Sequence, residues 1–103
     1  MPLLPLRTGR LAVDLDPATG GTLTCFTRDG VDILRPGSGT NGACYPLVPF
    51  SNRIGQATLQ WQGTSHPLVR NNGSEPHAIH GVGWQRPWSP ASAVNWPWRR
   101  CAR

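Results

Sequence analysis

Two prolines three residues apart, Pro46 and Pro49, divide the middle of the chain within the stretch Tyr45-Pro-Leu-Val-Pro-Phe-Ser-Asn-Arg-Ile54. Each removes a backbone donor and fixes φ, which disfavours a regular helix here. Pro49 also pushes Val48 towards an extended conformation. The stretch reads as a short stiff segment that ends by presenting Asn52 and Arg53 at a fixed place. Arg53 offers a planar fork of donors, and Asn52 offers one acceptor and two donors. That pairing suits neutral polyhydroxyl ligands and carboxylates equally. The plain alternative is a surface loop whose arginine is only solvated.

The rest of the chain offers no helix either. No 3.6-residue apolar periodicity is sustained for ten residues, and Gly and Pro supply 23 of the 103 residues, a composition of many turns. Leu11, Val13 and Leu15 alternate as in a half-buried strand over residues 10–15. A turn over residues 16–21 ends in Gly20-Gly21, and residues 22–27 form a second strand. Asp29-Gly30 is a hairpin signal, with a third strand at 31–34. Residues 56–62 read as a strand with Leu59 and Trp61 on one core-facing side, and residues 66–69 as its return. Asn71 to Pro76 is a loop. Trp88 should open a further strand. The fold class expected is all-β.

Charge and cysteine content narrow the function classes. The net charge is +5 and all ten basic residues are arginine, but three of them, Arg99, Arg100 and Arg103, lie in the last five positions. Without that tail seven arginines face five acids, so no nucleic-acid-binding face is expected. Cys25, Cys44 and Cys101 show no metal-ligand spacing and read as reduced thiols in a cytoplasmic protein. No apolar run approaches the ~18 residues of a membrane span, and the proline-rich N-terminus is too short for a signal peptide. His77 and His80 would face opposite sides of an extended segment, so no metal site is expected.

Three blocks together carry a family resemblance: the first strand pair with Gly20-Gly21 and its Asp-Gly hairpin; Pro46 to Ile54 followed by Leu59-Gln-Trp61 and Gly63; and Ala78-Ile-His-Gly-Val-Gly-Trp-Gln-Arg-Pro-Trp88. In this order and spacing they resemble the aldose 1-epimerase (mutarotase) family, matching its N-terminal portion over residues ~8–88. The resemblance implies the N-terminal part of an antiparallel galactose mutarotase-like β-supersandwich. Residues 1–88 would be that fragment. Residues 89–103 read as an atypical tail, disordered or frame-disrupted.

The resemblance further implies an isomerase that interconverts the α and β anomers of an aldose by acid/base ring opening. Its partner would be a small-molecule aldohexose, with no cofactor, no metal, no nucleic acid and no membrane. Arg53 and His80 match the family's substrate-binding residues, and Asn52 is added as their neighbour. The family's acid His and base Glu fall in blocks this chain does not match. Glu75, the one Glu present, matches neither, so no catalytic residue is assigned. Two other readings stand beside this one: a non-catalytic carbohydrate-binding module, and a basic peptide acting through Trp96 to Arg103. Trp84 and Trp88 read as core filling, with stacking on a sugar ring as the alternative. Gly81 and Gly83 read as backbone positions closed to other residues.

Overall fold

The computed structural model describes residues 3–90. It is nearly all β, with antiparallel strand pairing and only three short 3-10 turns, as the turn-rich sequence implies. The described residues divide into two compact units. One holds the residues up to Pro46 together with those from Gly83, and the other is Leu47–Val82. Of the expected tail, only Ser89 and Pro90 fall within the described residues.

The first unit is built on a four-stranded sheet in sequence order: β1 (Leu4–Thr8), β2 (Leu11–Asp16), β3 (Thr22–Arg28) and β4 (Val31–Asp32). The β3–β4 hairpin turns through Asp29 and Gly30, at φ +52° and +79°. Left-handed backbone at both central positions is what a two-residue turn between twisted strands requires. Arg10 closes on Asp29 in an exposed ion pair of 2.6 Å. β1 was not anticipated. Its Pro5 sits opposite Asp14 on an edge strand, where a missing donor costs no ladder bond.

The burial of the sheet departs from the simple alternation. Leu11, Val13 and Leu15 are only half-buried, while Asp14, Cys25 and Thr27 are buried. The apolar positions, Leu6, Val13 and Phe26 among them, line an open groove of about 470 Å³ instead. Thr22, 1 % exposed, donates its hydroxyl to the carbonyls of Thr19 (2.9 Å) and Gly39 (3.2 Å). Its polar atom is thereby satisfied although buried. Asp14 Oδ1 has no hydrogen-bond partner among the described residues. Cys25 is disulfide-bonded and Cys44 is a free, exposed thiol. This corrects the expectation of a reduced thiol at Cys25; Cys101 lies outside the described residues.

No strand opens at Trp88. Gly83–Gln85 is a 3-10 turn. Beyond it Trp88 donates its main-chain N–H to Pro17 (2.7 Å) and its indole N–H to Gly83 (2.9 Å). Trp88 remains 40 % exposed and lines a second open apolar groove of about 460 Å³ with Leu4, Leu15, Leu23 and Tyr45. Trp84 stacks on Tyr45 with ring centroids 6.2 Å apart. Gly20, at φ +67°, passes so close to Trp84 that a Cβ there would collide with the Trp84 carbonyl.

The second unit holds β5 (Arg53–Ile54), β6 (Thr58–Trp61), β7 (Thr64–Pro67) and β8 (Ala78–Ile79). β6 and β7 form a hairpin through Gln62 and Gly63, both left-handed. Leu59 and Trp61 do face one way, but they are 43 % and 62 % exposed, so the core assignment of Trp61 is corrected. The buried residues of this unit are Ala57, Ala78, Ile79 and Gly81. Among the described residues, no helix is long and apolar enough to cross a membrane.

Candidate functional site

The candidate residues converge on the smallest sheet of the second unit. β5 and β8 pair antiparallel, Arg53 opposite Ile79 and Ile54 opposite Ala78. Two rungs make a weak ladder, and histidine side chains extend it at both ends. The Asn52 N–H donates to His80 Nδ1 (3.0 Å) and the His80 N–H donates back to the Asn52 carbonyl (2.9 Å). At the other end the Gln56 N–H donates to His77 Nδ1 (3.0 Å). Asn52, Gln56 and His80 have φ of +65°, +54° and +60°. Left-handed backbone is uncommon for residues other than glycine, and it persists where surrounding contacts over-determine it.

These bonds settle the chemistry that each imidazole presents. A neutral ring has one donor nitrogen and one acceptor nitrogen. With Nδ1 accepting a main-chain N–H, the ring hydrogen of His80 lies on Nε2. His80 is thus set as an Nε2–H donor, and His77 by the same logic ties down the turn at Gln56. Among the described residues no group of three or more His, Cys, Asp or Glu is placed to hold a metal.

Arg53 follows Asn52 directly. Its main-chain N–H donates to Asn52 Oδ1 (2.9 Å), and its side-chain Nε donates to Glu75 in an ion pair. Glu75 also accepts from Asn72 Nδ2 (3.0 Å). The hydrogen bond from Arg53, then that from Asn72, hold the Glu75 carboxyl below its ordinary range. The pair engages Nε, and the Nη groups of Arg53 make no hydrogen bond among the described residues. Its side chain is half exposed, so a planar two-nitrogen face is available to an incoming oxygen-rich ligand.

Two further residues hold this arrangement together: Asn71, which carries no local signal in the sequence beyond a polar loop, and Gly81, read there as a backbone position closed to other residues. Asn71 donates through Nδ2 to the carbonyls of Ile79 (2.7 Å) and Gly81 (2.9 Å), and accepts the Ile79 N–H on Oδ1 (2.8 Å). Gly81, at φ +67°, lies against Val48, where a Cβ would collide with the Val48 carbonyl. That close approach forms a parallel bridge, and the Val82 N–H donates to Val48 (2.8 Å). The Val48–Pro49 peptide is cis. Gly83, by contrast, is not left-handed and begins a 3-10 turn. The structure therefore brings Asn52 and His80 into direct contact and sets Arg53 on the adjoining rung. It joins Glu75 to Arg53 as a partner.

Known proteins resemble this chain over most of its length. A family model described as aldose 1-epimerase matches residues 6–95. An uncharacterized protein of Escherichia coli (strain K12), YphB, is 36 % identical over 96 residues, covering 89 % of this chain and 33 % of that protein. A crystal structure from Escherichia coli K12, provisionally described as an aldose 1-epimerase, matches at 35 % identity with a TM-score of 0.82. The match covers 91 % of this chain and 33 % of that one. The chain thus spans about a third of the length of these relatives.

Proposed function

The chain belongs to the aldose 1-epimerase family, and from that premise we propose that it supplies sugar-binding groups for interconverting the α and β anomers of an aldose. The observation that carries the proposal is the reciprocal Asn52–His80 pair beside Arg53. It presents a fixed imidazole N–H and a guanidinium face, donors suited to the hydroxyl and ring oxygens of an aldohexose.

The reaction itself needs two proton carriers. A base takes the proton of the anomeric hydroxyl while an acid protonates the ring oxygen. The bond from C1 to the ring oxygen breaks and a carbonyl forms at C1. Rotation about C1–C2 and reclosure on the other face return both protons. Each carrier contributes roughly 10²–10⁴-fold. Glu75 is a poor base, because its charge is already committed to Arg53 and its carboxyl is held low. The acid and the base are accordingly proposed to lie outside the matched third of the fold.

The same observation favours a second reading, in which these residues bind aldoses without accelerating mutarotation. The cytoplasm is the compartment proposed.

The test follows optical rotation of fresh α-D-glucose or α-D-galactose with the purified chain, alongside NMR titration of the Asn52, Gln56 and Ile79 amide resonances that surround the two side chains. An R53A/H80A double variant is the control. Resonance shifts that the double variant loses, without faster rotation decay, support sugar binding with proton transfer supplied elsewhere. Acceleration that the variant loses would place a working acid and base within these 103 residues. Absence of any sugar-dependent shift in folded protein would overturn the proposal.

A further inference from the structure

One loop residue bears on His80 without being its neighbour in sequence. His80 holds a left-handed backbone, φ +60°, between a buried Ile79 and a buried Gly81. A β-carbon makes that conformation unfavourable, so something outside His80 must hold it. The Asn71 amide hydrogen-bonds both residues that bracket His80: Nδ2 to the Ile79 carbonyl, Nδ2 to the Gly81 carbonyl, and Oδ1 from the Ile79 N–H. The distances, 2.7–2.9 Å, are those of well-formed bonds.

We propose that Asn71 is the positioning residue of the sugar site, clamping the main chain on both sides of His80 so that its ring stays on the Asn52 N–H with the hydrogen on Nε2. The inference rests on the reading of His80 as a sugar-binding group. It adds the residue that sets which nitrogen of that group donates.

The side-chain chemistry is selective. Two donors and one acceptor must leave a single planar group at one short reach, which asparagine provides. Aspartate has the same shape but would set a carboxylate against two carbonyl oxygens. Glutamine places the amide one methylene too far. Alanine removes all three bonds. Once the clamp is lost, the Ile79–Gly81 segment can relax from its left-handed turn, and the ring leaves the Asn52 N–H. Both tautomers then become populated.

The experiment reads the ring directly. Long-range ¹H–¹⁵N NMR of the full 103-residue chain reports the tautomer of His80, with H80A used for assignment and N71D and N71A as the test variants. Wild type should show one tautomer, with the hydrogen on Nε2. The variants should shift the ratio towards the Nδ1–H form by roughly fivefold, the worth of one net hydrogen bond. The His77 ring, bonded at Gln56, should stay unchanged and so report an intact fold. Folded variants with an unaltered His80 spectrum would overturn the proposal.

Amide hydrogen exchange on the wild-type chain provides the check if both variants fail to fold. The Ile79, His80 and Asn52 amides should exchange at one common rate, as a unit. Free exchange at Ile79 with protection at Asn52 would overturn it. Neither measurement contains sugar, so failure of aldose binding leaves this result standing, and the reverse also holds.

Discussion

Replacing Gly81 with alanine tests the packing that supports the candidate site. Gly81 is buried and left-handed at φ +67°, and an added Cβ would meet the Val48 carbonyl and the Pro49 nitrogen. Two costs are separable. The left-handed backbone costs an alanine about 1–2 kcal/mol. The collision forces the main chain away from Val48, an overpacking cost of about 1–3 kcal/mol that includes weakening the Val82 to Val48 hydrogen bond. The sum is about 2–5 kcal/mol of local stability. Gly73 is the internal reference. It is also left-handed, at φ +57°, yet nothing lies within 4 Å of a Cβ built there, so G73A should cost only the first contribution. The assay is residue-resolved urea denaturation by NMR over residues 47–82, scored at the Val82 amide. G81A within about 0.5 kcal/mol of G73A would refute the steric reasoning, since distant sites add to about that tolerance.

Other outcomes follow from the same geometry. The Glu75 carboxyl, followed by ¹³C NMR, should titrate below 4.5; its folded pKa is depressed, so the Arg53 pair contributes above about pH 4.5 and is lost as pH falls through the folded value. In E75Q the Arg53 side-chain resonances should lose that titration; a midpoint at or above 4.5 in wild type would contradict the ion pair. Thr22→Val should destabilise the first unit by about 1–3 kcal/mol in urea denaturation, because the Thr19 and Gly39 carbonyls lose a buried donor. Iodoacetamide without reductant should label Cys44 and spare Cys25, read by peptide mass spectrometry.

Much of the first sheet was legible because its signals are local. Alternating Leu11, Val13 and Leu15 and the Asp29-Gly30 turn each specify backbone within a few residues, and β2, β3 and their turns lie where those signals put them. β1 was hidden by Pro2 and Pro5, since whether a proline blocks a strand depends on which strand becomes the edge. Trp61 was misplaced for a related reason. Alternation shows which side chains share a face but not whether anything covers it. At the site, Asn52, Arg53 and His80 could be picked out from motif and resemblance. Asn71 and Glu75 could not, because their partners lie 3 to 22 positions away with no periodicity linking them. Their roles exist only once β5 meets β8.

The bond that seats the His80 ring comes from the main chain of Asn52, not from its side chain. Substitution over evolutionary time therefore meets two different filters here. Position 52 must tolerate φ near +65°, a condition that glycine and aspartate also meet, so its letter can drift while the seat is kept. Position 80 must supply an aromatic nitrogen acceptor on a short stem, which histidine alone does. A search that matches side-chain identity at both positions would discard relatives that retain the seat, whereas one that matches backbone handedness at 52 with histidine at 80 would keep them.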